Sequence, residues 1–301
     1  MPDGARLDSE LVRRGLARSR RHAGELIGAG RVRVDGTVTT KSAASVGPDQ
    51  AVEVEPVGEG PDYASRAGHK LAGALDALGP QAPVVRGRRC LDAGASTGGF
   101  TDVLLRRGAA HVVAVDVGHG QLVQRLRDDD RVTVREGVNV RYLTPADVAP
   151  APALVVGDLS FISLTLVLPA LAGVVAPGGD LLLMVKPQFE VGRERLGTGG
   201  VVRDPALRAD AVLTVARTAV GHGLRPRAVV ASPLPGPGGN VEYFVALDAP
   251  LVGTSDAAVG GTGQDVPDGD GPTPGLRSMV EAAVAAGPTG EGATWTSGDG
   301  R

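Results

Sequence analysis

Two charged residues end apolar runs. Leu154-Val155-Val156-Gly157 is followed by Asp158, and Leu181-Leu182-Leu183-Met184-Val185 by Lys186. A charge that emerges from a buried strand is either paired or functional. An Asp158–Lys186 ion pair satisfies the first reading. The second recruits Lys70, in Ser65-Arg66-Ala67-Gly68-His69-Lys70-Leu71, and Glu242, in Gly239-Asn240-Val241-Glu242-Tyr243. If the four converge, two ammonium groups share a site with two carboxylates. Close lysines oppose each other's protonation, and the carboxylates decide which one is neutral. A neutral amine can act as a general base. Of 31 basic residues only Lys41, Lys70 and Lys186 are lysines. Arg stays charged where Lys can lose its proton. Each surviving lysine is therefore either a chance survivor or a place where Arg does not serve.

A second group of residues could hold a ligand. Cys90-Leu91-Asp92-Ala93-Gly94-Ala95-Ser96-Thr97-Gly98-Gly99 follows one expected strand and opens a helix. Small residues let the backbone turn sharply and approach a ligand. The next expected strand ends in Asp116, placed to take the hydroxyls of a ribose, as in a nucleotide crevice at the ends of parallel strands. The spacing is not that of a phosphate-gripping G-x-x-x-x-G-K-[ST] loop. Asp92 would repel a pyrophosphate but welcome a cationic ligand with an amino-acid moiety. S-adenosylmethionine fits that description. A tight turn without a ligand is the alternative.

These residues need elements to position them. Expected strands are 89–93, 111–116, 132–135, 153–157, 180–185, 226–231 and 241–247. Expected helices are 66–78, 98–108, 119–127, 161–175 and 205–222. The alternation predicts an α/β, Rossmann-like, mostly parallel sheet of seven strands with helices on both faces. It spans residues 61–249. Residues 1–60 read as a small α+β module, with two helices, a hairpin turning at Asp35-Gly36, and a linker over 58–63. Eight arginines face three acids between Arg6 and Val34. Arg6, Arg14, Arg18, Arg20 and Arg21 are the candidates for gripping structured RNA through its phosphates. An ordinary solvated helix face is the alternative. Residues 250–301 hold twelve Gly, five Pro and seven acids against two Arg. That composition predicts a disordered acidic tail, with room for one short helix around 278–286.

Composition also excludes classes of protein. One cysteine leaves no internal disulfide and no Cys-rich zinc site. The five histidines show no metal-ligand spacing, so no metal is expected. No apolar run reaches the roughly 18 residues of a membrane span, and the N-terminus has no signal-peptide core. A soluble, cytoplasmic monomer is expected.

Several motifs together resemble the TlyA family, also called hemolysin A-like. They are Ser65–Leu71, Leu91–Thr101, Gly157–Ile162, Lys186–Glu190, Gly200–Pro205 and Gly239–Tyr243, with Arg6-Leu7-Asp8, Gly30–Gly36 and Lys41 in the first module. The resemblance covers about residues 5–248. It implies an S4-type RNA-binding domain ahead of an FtsJ-like methyltransferase domain. It also implies 2′-O-methylation of cytidine in ribosomal RNA, within subunits or whole 70S ribosomes, by a Lys-Asp-Lys-Glu tetrad at Lys70, Asp158, Lys186 and Glu242. The methyl-donor positions implied are Asp92, Gly94, Ser96, Thr97, Gly98, Asp116 and Asn139. One position departs: members carry a bulky pair, commonly an aromatic followed by Val, where this chain has Tyr63-Ala64.

Neutral Lys186 is the expected general base, oriented by Asp158. Lys70 stays protonated and steadies the developing alkoxide, while Glu242 holds Lys70 and the ribose. The rivals are a silent RNA-binding assembly factor, a membrane-active hemolysin and another S4-linked enzyme such as a pseudouridine synthase. The first would be expected to have lost a tetrad member. The second lacks a membrane helix, and the third does not need a methyl-donor loop.

Overall fold

Strands rich in Val, Leu and Ala present two apolar faces and must be covered on both. In the computed structural model this requirement builds the larger of two units, which divide between Asp62 and Tyr63. The structure describes residues 4–17, 19–28, 30–54, 62–236, 239–251 and 275–287.

The smaller unit runs β1 (Ala5–Arg6), α1 (Leu7–Arg13), α2 (Arg20–Gly28), β2 (Val32–Val34), β3 (Thr37–Val38), β4 (Ser45–Val46) and β5 (Val52–Val54). Leu7 and Leu11, spaced i, i+4, share one helix face and are fully buried against Ala23, Ile27 and Val32. Asp35 and Gly36 both take positive φ, as a tight two-residue hairpin requires. β2 pairs with β3 and also with β5. β5 carries little sequence signal, being three residues with an exposed Glu53 between two valines.

The larger unit opens with α3 (Arg66–Leu78), β6 (Arg89–Ala93), α4 (Gly99–Arg106), β7 (His111–Asp116), α5 (Gln124–Arg127) and β8 (Val132–Glu136). It continues with α6 (Pro145–Val148), β9 (Leu154–Gly157), α7 (Leu168–Val174), β10 (Asp180–Val185) and α8 (Pro187–Glu190). It closes with α9 (Pro205–Gly221), β11 (Arg225–Ala231), β12 (Tyr243–Asp248) and α10 (Leu276–Ala286). Seven strands form one sheet in the order β11-β12-β10-β9-β6-β7-β8. β12 is antiparallel to both its neighbours, and the other pairings are parallel. Side chains alternate between the two faces with period two. On β10, Leu181, Leu183 and Val185 join α7 and α9, while Leu182 and Met184 join α3 and α4. Cys90 is fully buried among the latter, and burial pushes its thiol up to about 12.

Two expected helices come out shorter than the pattern predicts. Only Gln124–Arg127 of 119–127 is α-helical. The Gly118 and Gly120 amides are held by the Asp116 and Glu136 carboxylates and so stay in a loop. Over 161–175 the α-helix begins at Leu168: Phe161 sits at φ 63°, outside helical space, and an extended Ser163 caps a separate tight turn over Leu164–Leu166.

The short helix allowed around 278–286 is present as α10, Leu276–Ala286. Val280 is fully buried and Ala283 nearly so, in the same core as α9 and β11. Their spacing makes a short apolar stripe inside a Gly- and Pro-rich stretch, and docking on that core supplies the rest. Residues 252–274 and 288–301 of the expected tail lie outside the described residues, as does most of the expected linker. Among the described residues, no helix is long and apolar enough to cross a membrane, and no cluster of three or more His, Cys, Asp or Glu could hold a metal ion.

Val280→Asp should undock α10. Losing a buried Val costs roughly 1.5–3 kcal/mol, to be read as a lower urea midpoint with faster hydrogen exchange in α9 and β11.

Candidate active site

The sheet topology lines up the charged residues along one edge. Leu183 pairs with Gly157 across β9 and β10, and Val185 pairs with Tyr243 across β10 and β12. The residue following β9 is Asp158, the residue following β10 is Lys186, and the residue preceding the reversed β12 is Glu242. Three neighbouring strands thus deliver three charges to the same edge. The row continues through Asp92 on β6, Asp116 at the end of β7 and Glu136 at the end of β8.

Two ion pairs organise one half of this row. Lys186 Nζ lies 2.6 Å from Asp158 Oδ1 and donates to Ser160 Oγ at 2.8 Å. Lys70, reaching in from α3, donates to Glu242 Oε2 at 2.5 Å. Both lysines are buried, and Glu242 is entirely so, with Oε1 left without a hydrogen-bond partner. The four expected residues therefore form two pairs, Lys70–Glu242 and Asp158–Lys186. Ser160 is a contributor that carries no sequence signal, since a lone serine after a strand is commonplace.

Asp92 and the glycine-rich loop form the other half. Asp92 is fully buried, and its Oδ2 accepts a hydrogen bond from Thr101 Oγ1 at 2.7 Å. Its Oδ1 has no partner. Burial, with the nearby carboxylates of Asp158 and Asp116, pushes the acid up to about 7. A cationic group beside it would relieve that penalty. Gly94 has φ 88°, and a Cβ there would meet Asp158 O at 2.9 Å. Gly98 has φ 99°, and a Cβ would meet Leu126 Cδ1 at 2.3 Å. Glycine is required at both. Ser96 and Thr97 are exposed on the loop.

Beside the loop lies a hollow lined by Ala95, Ser96, Asp116, Gln121, Val134 and Glu136. Asp116 accepts from the Ser96 and Gly118 amides at 2.8 and 2.7 Å, so it shapes the hollow as well as lining it. Glu136 joins the lining, readable only once β8 is known to neighbour β7. Asn139 does not line the hollow. Its Oδ1 accepts from Arg141 N at 3.0 Å and caps a short helical turn, a backbone task that small polar side chains perform well.

The expected RNA-contacting arginines divide. Arg6 and Arg20 share the Asp8 carboxylate, at 2.9 and 3.0 Å, and keep largely exposed guanidinium groups. Arg6 first, then Arg20, holds that carboxyl well below the usual range. Arg14 turns inward instead. It pairs with Glu10 at 2.6 Å and donates to the carbonyls of Gln50, Gly47 and Pro48. It staples α1 to the turn before β5, so its guanidinium is spent on the fold. Sequence periodicity does not reveal this, because the carbonyls belong to a loop 33 to 36 residues away. Arg18 and the side chain of Arg21 lie outside the described residues.

A mostly parallel seven-stranded sheet with a Gly-rich loop after β6 and a charged strand-end row defines a Rossmann-like methyltransferase domain. Residues 63–249 match the FtsJ-like methyltransferase model, and residues 5–52 match the S4 domain model. The chain is 59% identical over 243 residues to the 16S/23S rRNA (cytidine-2′-O)-methyltransferase TlyA of Mycobacterium tuberculosis, covering 81% of this chain and 89% of that protein. It is 37% identical over 240 residues to Hemolysin A of Brachyspira hyodysenteriae, covering 79% and 98%. A solved structure from Streptococcus thermophilus superposes with a TM-score of 0.70 at 35% identity, covering 95% of this chain and 96% of that one. The chain belongs to the TlyA family, FtsJ-like methyltransferases that carry an S4 domain.

Lys70→Met should leave Glu242 buried and unpaired, costing about 3–5 kcal/mol; adding Glu242→Leu should restore most of the thermal midpoint. Asp92 gives a pH signature. Its folded value lies above the ordinary 3.8, so between that value and about 7 the folded state holds a proton that the unfolded state has lost. Unfolding free energy should therefore fall as pH rises through this window. Asp92→Asn should flatten that slope in urea titrations run at several pH values.

Proposed function

We propose that the chain methylates the 2′-hydroxyl of cytidine in ribosomal RNA, with Lys186 as general base. The observation that carries the base assignment is the placement of Lys186 Nζ, which donates to Ser160 Oγ and lies in an ion pair with Asp158. A neutral amine has two N–H groups and one lone pair. With one N–H held by Ser160 Oγ and the Asp158 carboxylate beside the nitrogen to stabilise the ammonium that forms, the lone pair is left for the substrate. The relatives' activity supports the substrate class.

S-adenosylmethionine, when bound, supplies an electrophilic methyl group on a sulfonium. The residues fit it: the unpartnered Asp92 oxygen suits its cationic amino-acid end, Gly94 and Gly98 let the loop turn tightly against Asp158 and Leu126, and Asp116 and Glu136 bring carboxylates to the rim beside Ser96, as ribose hydroxyls would need. Thr97 lies on the same exposed loop. Lys186 Nζ takes the 2′-hydroxyl proton as the new C–O bond forms and the methyl–sulfur bond breaks, leaving a neutral thioether, and Asp158 steadies the resulting ammonium. Lys70, paired with Glu242, is the cation placed to steady the developing negative charge on the oxygen. Base assistance of this kind contributes about 10²–10⁴-fold, and alignment of the reacting atoms much of the rest.

A 2′-hydroxyl inside a helix is hard to reach, so the target nucleotide turns out of its stack. Phe161 is 91% exposed beside Ser160 and rests on Phe189, with ring centroids 5.4 Å apart. It offers an aromatic face to the extruded base. Arg6 and Arg20 grip phosphates from the S4 unit. The enzyme meets its RNA in the cytoplasm, as a monomer.

Labelled S-adenosylmethionine with isolated 30S subunits, 50S subunits and 70S ribosomes tests this. Wild type should label rRNA at cytidine 2′-oxygens. Lys186→Ala and Lys186→Arg should abolish labelling, since a guanidinium holds its proton. An active Lys186→Arg enzyme removes Lys186 from the role. RNA affinity should weaken as salt rises, and Arg20→Ala should lower both the affinity and the steepness of that dependence.

A further inference from the structure

The loop that carries Asp158 and Ser160 is anchored at both ends. At its start the Asp158 amide donates to Ala93 O at 3.1 Å. At its far end Glu190 accepts from Ser163 Oγ at 2.5 Å and from the Leu164 amide at 2.9 Å. Glu190 sits at the end of α8, four residues after Lys186, so one short segment meets the loop through Lys186, Phe189 and Glu190. Lys186 holds its beginning, through Asp158 and Ser160, and Glu190 holds its end.

Between these two links lies the strain. Phe161 has φ 63°, a left-handed backbone that bulky residues rarely adopt. Such conformations cost about 1–3 kcal/mol and persist only where their surroundings over-determine them. Its side chain is almost wholly exposed, so buried packing of the ring does not impose the conformation. The two anchors do. Without the far one, Phe161 can relax to ordinary φ, and the backbone rotation swings Ser160 away from Lys186.

We propose that Glu190 is a positioning residue for the methyl transfer. By pinning Ser163 and Leu164 it fixes the reach of Asp158 and Ser160 to Lys186, and so aims the Nζ lone pair at the target hydroxyl. The inference rests on the reading of Lys186 as the base. It adds a residue that touches neither donor nor RNA.

The chemistry allows a discriminating variant. Gln at this position still accepts from the Leu164 amide and donates to Ser163 Oγ. The Ser163 hydroxyl then turns its own hydrogen to Thr165 Oγ1, already 2.6 Å away. Ala makes neither contact.

The test compares full-length wild type, Lys186→Ala, Glu190→Ala, Glu190→Gln and Ser163→Ala, using labelled S-adenosylmethionine and the ribosomal substrate that wild type modifies. Misplacement on the scale of an ångström costs up to 10²-fold in rate, so Glu190→Ala should lower kcat by about 10–100-fold. KM for the ribosomal substrate and calorimetric affinity for S-adenosylhomocysteine should stay within about twofold of wild type, because neither ligand meets this carboxylate. Glu190→Gln should recover to within about threefold of wild type, and Ser163→Ala, missing one of two contacts, should fall between. A Glu190→Ala enzyme with wild-type kcat overturns the proposal. So does a loss in kcat that Gln does not rescue, or one matched by equal losses in substrate KM and donor affinity. If Glu190→Ala does not fold, Gln and Ser163→Ala decide by the same kcat-against-KM comparison. Failure of the base reading looks different: Lys186→Ala would then keep wild-type activity, whatever the Glu190 variants do.

Discussion

A charge leaving an apolar sheet has to find an opposite charge, and at this sheet edge the requirement is met twice within neighbouring strands. Lys186 follows a strand whose residues are all buried, and the carboxylate that answers it follows the adjacent parallel strand. Lys70 answers Glu242, which enters the edge from the reversed strand β12. Each pair is buried enough that losing one member strands the other in low dielectric. The pairs therefore stabilise an arrangement that water would otherwise dissolve, and they hold two lysines at one edge of the sheet. A strand order that parted β9, β10 and β12 would lose both pairs.

The same edge solves a different problem beside β6. Asp92 is buried with one oxygen unused and is held up near neutrality by burial. That is a costly group to keep unless something cationic completes it. The loop after it is kept clear by glycines whose positive φ admits no ordinary side chain without strain. Asp116 and Glu136 bind loop amides, so the residues that frame the hollow also fold it. Fold and site share side chains here, which is why the expected helix over 119–127 begins only at Gln124.

The S4 unit uses its charge economically. Acids near the start of α1 collect arginines: Asp8 takes Arg6 and Arg20, and Glu10 takes Arg13 and Arg14. Pairing with a buried acid limits where an exposed guanidinium can go, which reduces the ordering cost of binding a polyanion. Arg14 marks the limit of counting charges along a sequence. It adds to the basic total yet spends its donors on the fold.

Much of this was legible in the residues themselves. Apolar runs of the right length marked all seven strands to within about two residues, since a strand buried on both faces admits little else. Charges that end such runs named Asp158 and Lys186, and an Arg-rich chain made Lys70 conspicuous. What the sequence left open was partnership. Lys70 and Glu242 are 172 residues apart, and only the antiparallel insertion of β12 beside β10 joins them. Ser160, Glu136 and Glu190 carry no signal of their own, because ordinary residue types gain a role only from what stands across from them. The backbone contacts of Arg14 and Asn139 were hidden for the same reason. Composition and period determine what each segment tends to be, and long-range packing and hydrogen bonding decide what each polar group finally touches.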